Sequence, residues 1–152
     1  MEYFPYGITE VSHLMKVDSK LAFWIDTIGP IRRPVILDPF TALLSSIVSQ
    51  QISRAAAGTI WQRFIDLVGS VRPEEILNAS TEDLRSCGLS QRKVEYVMGI
   101  AAAAKSGEIP FHRLRTMPER ELMECLCRLR GVGPWTVEML RIFSLLHPDV
   151  LS

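Results

Sequence analysis

The sequence predicts an all-α protein built as a multi-helix bundle. Apolar residues recur at helical spacing through most of the 152 residues, and 47% of the chain is hydrophobic. Capping residues, prolines and glycines stand where such segments begin and end. We find no pattern typical of a half-buried strand, and the apolar triplet 35–37 is too short and too isolated to predict a paired one.

The first half of the chain contains three predicted helices. We predict the first over about 20–28. Asp38 followed by Pro39 is a favourable N-cap and first-turn pair, and the apolar residues that follow form a wide buried face. Ser53 is the predicted N-cap of the next helix, which Gly69 ends.

The second half continues in the same way. Pro73 starts a short helix, and Ser80 starts another that closes at Gly88. Ser90 is the predicted N-cap of a long helix that ends near Gly107. Two further helices, over about 118–129 and 134–146, flank a tight turn at 131–133.

The charge of the chain excludes nucleic-acid binding through an overall basic surface, because 17 basic and 17 acidic residues give a net charge of zero. Any such binding must therefore depend on local clusters. Two are present in the sequence: Arg128, Arg130 and Arg141 flank the tight turn, and Arg92 with Lys93 follows another glycine.

The composition also predicts the compartment and argues against a metal site. The odd number of cysteines, without metal-ligand spacing, indicates buried thiols in a reducing compartment, and the three histidines are scattered. Neither a membrane-spanning run nor a secretory signal is recognisable. We expect a cytoplasmic, nucleoid-associated or nuclear protein that is not secreted.

The most informative segment is Gly131-Val132-Gly133-Pro134. Two glycines one residue apart allow positive φ and close backbone approach, and Val132 between them can anchor the turn in the core. The N–H groups of the turn, with the positive end of the following helix, predict a concave anion site suited to phosphate. An ordinary turn between packed helices is the alternative.

Segment 129–137 resembles the helix-hairpin-helix of the DNA glycosylase superfamily, and the chain is similar to its 3-methyladenine DNA glycosylase II (alkylpurine) type. The resemblance implies that the hairpin grips the DNA backbone through Gly131, Val132, Gly133 and the backbone near Thr136. It also implies a monovalent cation, held by hairpin carbonyls, that bridges to phosphate. No other cofactor is expected.

Trp135 bears on the chemistry. In glycosylases of the endonuclease III type a lysine at the matching position forms a Schiff base with the sugar, and an indole cannot. The resemblance to the alkylpurine branch implies that Trp135 lines the base pocket, where a cationic alkylated purine gains about 0.5–2 kcal/mol against an indole face. Met139, one turn on, is the expected second pocket residue. A core tryptophan is the alternative.

Segment 46–53 is a second match to the family. By resemblance, Gln51 is inserted into the duplex to fill the gap left by a flipped nucleotide. Two solvated glutamines at a helix junction would also explain the sequence. Arg92 and Lys93 fall in a first helical turn, where positive charge opposes the helix dipole, so contact with phosphate and simple solvation both remain open.

The resemblance implies that the catalytic aspartate lies just beyond Ser152, with Asp149 the less favoured candidate. It assigns 1–30 to an N-terminal helical segment of a second lobe. Residues 31–152 then form the glycosylase core, incomplete at its C-terminus because the C-terminal helices are missing. We expect this chain to be inactive alone and to self-associate.

The function implied is base-excision repair of damaged double-stranded DNA. The expected activity is that of a monofunctional N-glycosylase, which hydrolyses the glycosidic bond of alkylated purines such as 3-methyladenine after base flipping. A non-catalytic helix-hairpin-helix module that binds DNA, or an inactive fragment, is the alternative. A helical interaction protein without a DNA role is the third hypothesis, and the hairpin and glutamine motifs argue against it.

Overall fold

The computed structural model describes residues 2–150, and helices dominate this part of the chain. The α-helices are α1 (Ile8–Val17), α2 (Ser19–Ile28), α3 (Pro39–Ser49), α4 (Arg54–Val68), α5 (Pro73–Asn78), α6 (Thr81–Ser86), α7 (Gln91–Ser106), α8 (Glu119–Leu126) and α9 (Pro134–Leu140). A 3-10 helix covers Phe111–Thr116, and a π-helical turn, Arg141–Leu145, continues α9. The predicted all-α class is confirmed.

The prediction that 35–37 would not pair is wrong. Strand β1 (Glu2–Tyr3) pairs antiparallel with β2 (Pro34–Val35), with Glu2 opposite Val35. The backbone N–H of Phe4 donates to the carbonyl of Arg33 at 2.8 Å and extends the ladder. Two-residue strands are too short to show an alternating pattern, so periodicity could not reveal them.

The chain divides into two compact units, one ending at Ile36 and one beginning at Leu37. In the first unit α1 and α2 pack together, and the Tyr6 hydroxyl donates to the carbonyl of Ile31 and accepts from its N–H. Helix α2 confirms the prediction over 20–28. Helix α1 was not predicted, because its N-cap is Gly7 rather than a residue with a capping side chain.

The N-caps predicted in the second unit are confirmed. The side chains of Asp38, Ser53, Ser80 and Ser90 each accept a hydrogen bond from the backbone N–H three positions later. Gly107 ends α7 in the left-handed conformation, as a C-terminal glycine is expected to do. These local interactions fix where α3, α4, α6 and α7 begin.

Helix α3 forms the centre of the second unit. It packs against α4, α7 and α9. Five of its apolar side chains are buried, namely Phe40, Leu43, Leu44, Ile47 and Val48. Two of these buried residues, Ile47 and Val48, anchor the C-terminal end of α3, which leads into the segment with Gln50 and Gln51 between α3 and α4, here called the glutamine junction.

Of the two helices that flank the glycine turn, α8 ends earlier than predicted, at Leu126. The π-helical turn continues α9 to Leu145, close to the predicted end, and Leu146 follows as its C-cap with φ 60°. The Arg115 guanidinium donates to the carbonyls of Ser144 and Leu145 at 3.2 and 3.0 Å. These bonds satisfy carbonyl groups that the end of the helix leaves without partners.

Arg141 does not belong to a basic surface cluster, contrary to the sequence-based grouping. Its side chain is only 7% exposed and lies 2.5 Å from the Glu119 carboxylate on α8. Within residues 2–150 its Nε has no hydrogen-bond partner. The charge of Arg141 therefore stabilises the contact between α8 and the π-helical turn instead of facing a ligand.

We predict that Glu119→Ala destabilises the protein by about 1–3 kcal/mol, because the buried Arg141 guanidinium loses a charged acceptor. Helix α8 offers a matched control. Glu124 forms an exposed pair with Arg120 at 2.9 Å, so Glu124→Ala should cost less than about 0.5 kcal/mol. Urea unfolding of both variants measures the difference, and equal midpoints would contradict the assigned role of Glu119.

Candidate nucleic-acid interface

The glycine turn lies between α8 and α9, as the sequence predicts. Val132 is buried and anchors the turn, whereas the two glycines differ in conformation. Gly131 has φ +85°, in the region that favours glycine, and Gly133 has φ −109° and is the N-cap of α9. Positive φ is therefore required only at Gly131.

Gly131 also lies against an aromatic ring. A Cβ atom added to Gly131 would overlap the Tyr96 ring, whereas one added to Gly133 would meet nothing within 4 Å. Tyr96 is half-buried and packs against the core of the second unit. The turn thus approaches α7 so closely that only glycine fits at position 131, and position 133 faces open space.

The start of α9 has backbone N–H groups available for a ligand. Within residues 2–150, those of Gly133, Trp135 and Thr136 donate to no backbone acceptor. The Thr136 side chain is buried, so any contact from this residue must involve its backbone. These N–H groups, at the start of a helix and beside open space, suit an anion.

Trp135 is 60% exposed at the second position of α9, and the alternative of a core tryptophan is therefore wrong. Met139, one turn later, is partly buried. An indole thus lies directly beside the glycine turn. Its exposure leaves the ring free to stack on a planar group.

Gln51 lies at the junction of α3 and α4, exposed and with φ 57°. The left-handed region is unfavourable for a non-glycine residue, by roughly 1–2 kcal/mol. Such conformations persist only where the surroundings enforce them, and they occur often at binding sites. The conformation therefore requires contacts that hold the residues on either side of it.

Gln50 supplies one of those contacts. Its side-chain Nε2 donates to the carbonyl oxygen of Gly131 at 3.0 Å. The glutamine junction and the glycine turn, which are 81 positions apart along the chain, therefore meet in the fold. Sequence analysis missed this role of Gln50, because a contact over such a distance leaves no local pattern.

Lys93 supplies the other contact. Its Nζ donates to the carbonyls of Val48 at 2.6 Å and Gln50 at 2.8 Å, and partial burial lowers the pKa of its ammonium group. Lys93 is therefore not simply solvated, because two of its three N–H donors bind protein carbonyls, whereas its contact with phosphate stays a prediction. Arg92 beside it is exposed.

The basic side chains left near the turn are Arg128 and Arg130, both exposed. Arg130 lies 3.6 Å from Glu95 in a solvent-accessible pair, which holds it only weakly. The predicted basic cluster around the turn is therefore reduced to these two arginines, because Arg141 is buried.

The remaining sequence-based candidates have simple positions. Asp149 is exposed near the end of the described chain, and the aspartate expected beyond Ser152 lies outside the described residues. Within residues 2–150, no three histidine, cysteine or acidic side chains are grouped to hold a metal ion. Cys87 is buried as expected, but Cys127 is exposed, so the prediction of buried thiols is wrong there. No helix of the described chain has the length and apolar character needed to cross a membrane.

Comparisons with known proteins agree with this geometry. Residues 44–145 match the family model of the HhH-GPD superfamily base excision DNA repair protein. The chain is 36% identical over 146 residues to DNA-3-methyladenine glycosylase 1 of Schizosaccharomyces pombe. That alignment covers 91% of this chain and 64% of the relative, so the chain spans less than two thirds of that protein's length.

Two crystal structures are also similar. A DNA-3-methyladenine glycosidase of Bacillus halodurans superposes with a TM-score of 0.79 at 38% identity, covering 100% of this chain and 71% of that one. A 3-methyladenine DNA glycosylase of Schizosaccharomyces pombe, in complex with abasic DNA, gives a TM-score of 0.82 at 34% identity, with 93% and 72% covered. The family match spans the hairpin, the junction and the helices between them, and the chain belongs to the HhH-GPD superfamily of base excision DNA repair proteins.

Proposed function

We propose that this chain belongs to a monofunctional DNA N-glycosylase that removes alkylated purines such as 3-methyladenine from double-stranded DNA. The observation that carries the proposal is the exposed indole of Trp135. It stands at the position where glycosylases of the endonuclease III type have a lysine. An indole cannot form a Schiff base, but its face attracts a cationic purine. The names of the relatives support the same substrate class.

The hairpin is proposed to bind the DNA backbone. The N–H groups of Gly133, Trp135 and Thr136 have no backbone acceptor within residues 2–150, and the space beside Gly133 is open, so a phosphate could approach them. Contacts of this kind fix the position of the protein on the duplex and read no sequence. Arg128 and Arg130 would add charge at the edge of the contact.

A monovalent cation at the hairpin is part of the proposal. Among the described residues, the carbonyl of Val132 accepts no backbone hydrogen bond, and that of Gly131 accepts one from the Gln50 side chain. The free carbonyl suits a hard cation, which prefers oxygen ligands. When bound, the ion would add positive charge beside the phosphate site.

Gln51 is proposed to enter the duplex where the damaged nucleotide is flipped out. The exposed side chain and the left-handed backbone conformation of Gln51 support this role. Flipping costs a few kcal/mol of lost stacking, and an inserted side chain recovers part of it. A protein with this function acts where DNA is, in the nucleoid or the nucleus.

The alternative is a DNA-binding module without catalysis. Under this alternative, release of 3-methyladenine by the chain should be near background. Rapid release that Asp149→Asn abolishes would instead identify Asp149 as the catalytic carboxylate and favour an enzyme in which this aspartate steadies positive charge on the sugar.

The function is tested through Trp135. We expect the chain to bind an alkylated duplex more tightly than the same duplex without alkylation, and Trp135→Ala should reduce that preference about two- to thirtyfold. Trp135→Phe should retain part of it. Fluorescence anisotropy titrations measure both affinities.

Trp24, which is 56% exposed in the first unit, provides the matched control. Trp24→Ala should leave the preference unchanged. If the wild-type chain shows no preference for the alkylated duplex, or if the two tryptophan variants behave alike, the proposed base pocket is wrong.

Binding of the hairpin to the DNA backbone is tested with substitutions at three glycines. Gly131→Ala should lower both stability and DNA affinity, since its Cβ overlaps Tyr96 and its φ is positive. Gly133→Ala should lower stability less than Gly131→Ala, since its cost is only that of a poorer N-cap, but it should weaken binding to all duplexes several-fold, because its Cβ occupies the space through which a phosphate would approach. Gly58→Ala, in open space on α4, is the control. Unchanged affinity of the Gly133 variant in gel-shift titrations would contradict this binding.

Self-association is the last part of the proposal. Large apolar side chains of the first unit are exposed, among them Ile8, Phe23, Trp24 and Ile28. Exposed apolar side chains favour association when they form a contiguous patch. We expect self-association at micromolar concentration, weakened by Phe23→Ser. Sedimentation velocity measures the oligomeric state. A monomer that also fails to bind a hydrophobic dye would contradict the proposed self-association.

A further inference from the structure

Helix α7 contacts both parts of the interface from one of its faces. Lys93 and Tyr96 are three positions apart, which places them side by side on a helix. Lys93 binds the carbonyls of Val48 and Gln50, and Tyr96 lies against Gly131. The same helix therefore contacts the glutamine junction and the hairpin within one turn.

The third contact closes a ring. Gln50 donates to the carbonyl of Gly131, so the junction and the hairpin are joined directly as well as through α7. Three chain segments are thus linked pairwise, by Lys93 to Gln50, by Gln50 to Gly131 and by Gly131 to Tyr96. In such a ring, a shift of any one segment strains the contacts of the other two.

The position of Lys93 is unfavourable for its own helix. It lies in the first turn of α7, where the helix dipole disfavours a positive charge, and it is partly buried. Its donors instead satisfy carbonyls at the C-terminal end of α3, where positive charge is favourable. Lys93 therefore stabilises the segment that leads into Gln51 rather than its own helix.

We propose that Lys93 is a positioning residue for Gln51. Its hydrogen bonds to the carbonyls of Val48 and Gln50 keep Gln51 in its left-handed conformation, at a fixed place relative to the hairpin. Insertion of Gln51 and binding of the phosphate can then occur together on one duplex. This inference rests on the proposed function, in which Gln51 fills the gap left by a flipped nucleotide.

The test compares two DNA duplexes that differ only in one nucleotide, which is either intact or replaced by a stable abasic-site analogue. The wild-type chain should prefer the abasic duplex, where insertion of Gln51 costs no base pair. Lys93→Met removes the donors and keeps the aliphatic stem. We expect it to lower the preference about tenfold while the affinity for the intact duplex changes little.

The control is Lys105→Met, the same substitution at an exposed lysine of the same helix, which should change neither affinity. Lys93→Arg keeps a cationic donor within reach of the carbonyls and should recover most of the preference. If Lys93→Met does not fold, Gln50→Met replaces it. This second variant removes only the side-chain link to Gly131 and should lower the preference in the same way.

A double-mutant cycle separates positioning from a merely structural role. In the background of Gln51→Ala, Lys93→Met should have no further effect on the preference, because the side chain that it positions is gone. A loss of similar size in that background, or an equal loss of affinity for both duplexes, would overturn the inference. A wild-type chain without any preference would instead overturn the proposed function, and the inference with it.

Discussion

The close approach of the hairpin to α7 is the constraint on which the site depends. Because Gly131 has no Cβ, the turn can lie against the Tyr96 ring. This contact fixes where α9 begins and directs the Gly131 carbonyl toward Gln50. The same turn therefore also sets the positions of the exposed Trp135 and of the free N–H groups at the start of α9. A side chain at position 131 would move all of these groups together.

The parts of the fold that were predicted correctly depend on neighbouring residues. An N-cap such as Asp38 or Ser90 needs only the N–H three positions later, so its effect can be read from a short stretch of chain. The glycine turn was recognisable for the same reason, since Gly131, Val132 and Gly133 are consecutive. The predicted identity of the family rested on such local patterns as well.

The parts that were missed depend on contacts between distant segments. Lys93 and Arg141 were each grouped with a basic cluster from their neighbours in sequence. Their acceptors, the carbonyl of Val48 and the carboxylate of Glu119, lie 45 and 22 positions away. Charge alone does not tell whether a lysine or arginine faces solvent, phosphate or protein. Gln50 shows the same limit for a neutral side chain.

The positions of these charges bear on how a protein without net charge could bind DNA at the proposed site. Lys93, Arg115 and Arg141 all donate to acceptors within the protein, so these side chains stabilise the fold around the site. In the proposed function, the groups closest to the phosphate are oriented N–H groups, whose dipoles act only at short range, with Arg128 and Arg130 at the edge of the contact. Short-range attraction depends strongly on geometry. The strained conformation of Gln51 and the strict need for glycine at position 131 are consistent with that dependence, because both serve to place groups accurately rather than to add charge.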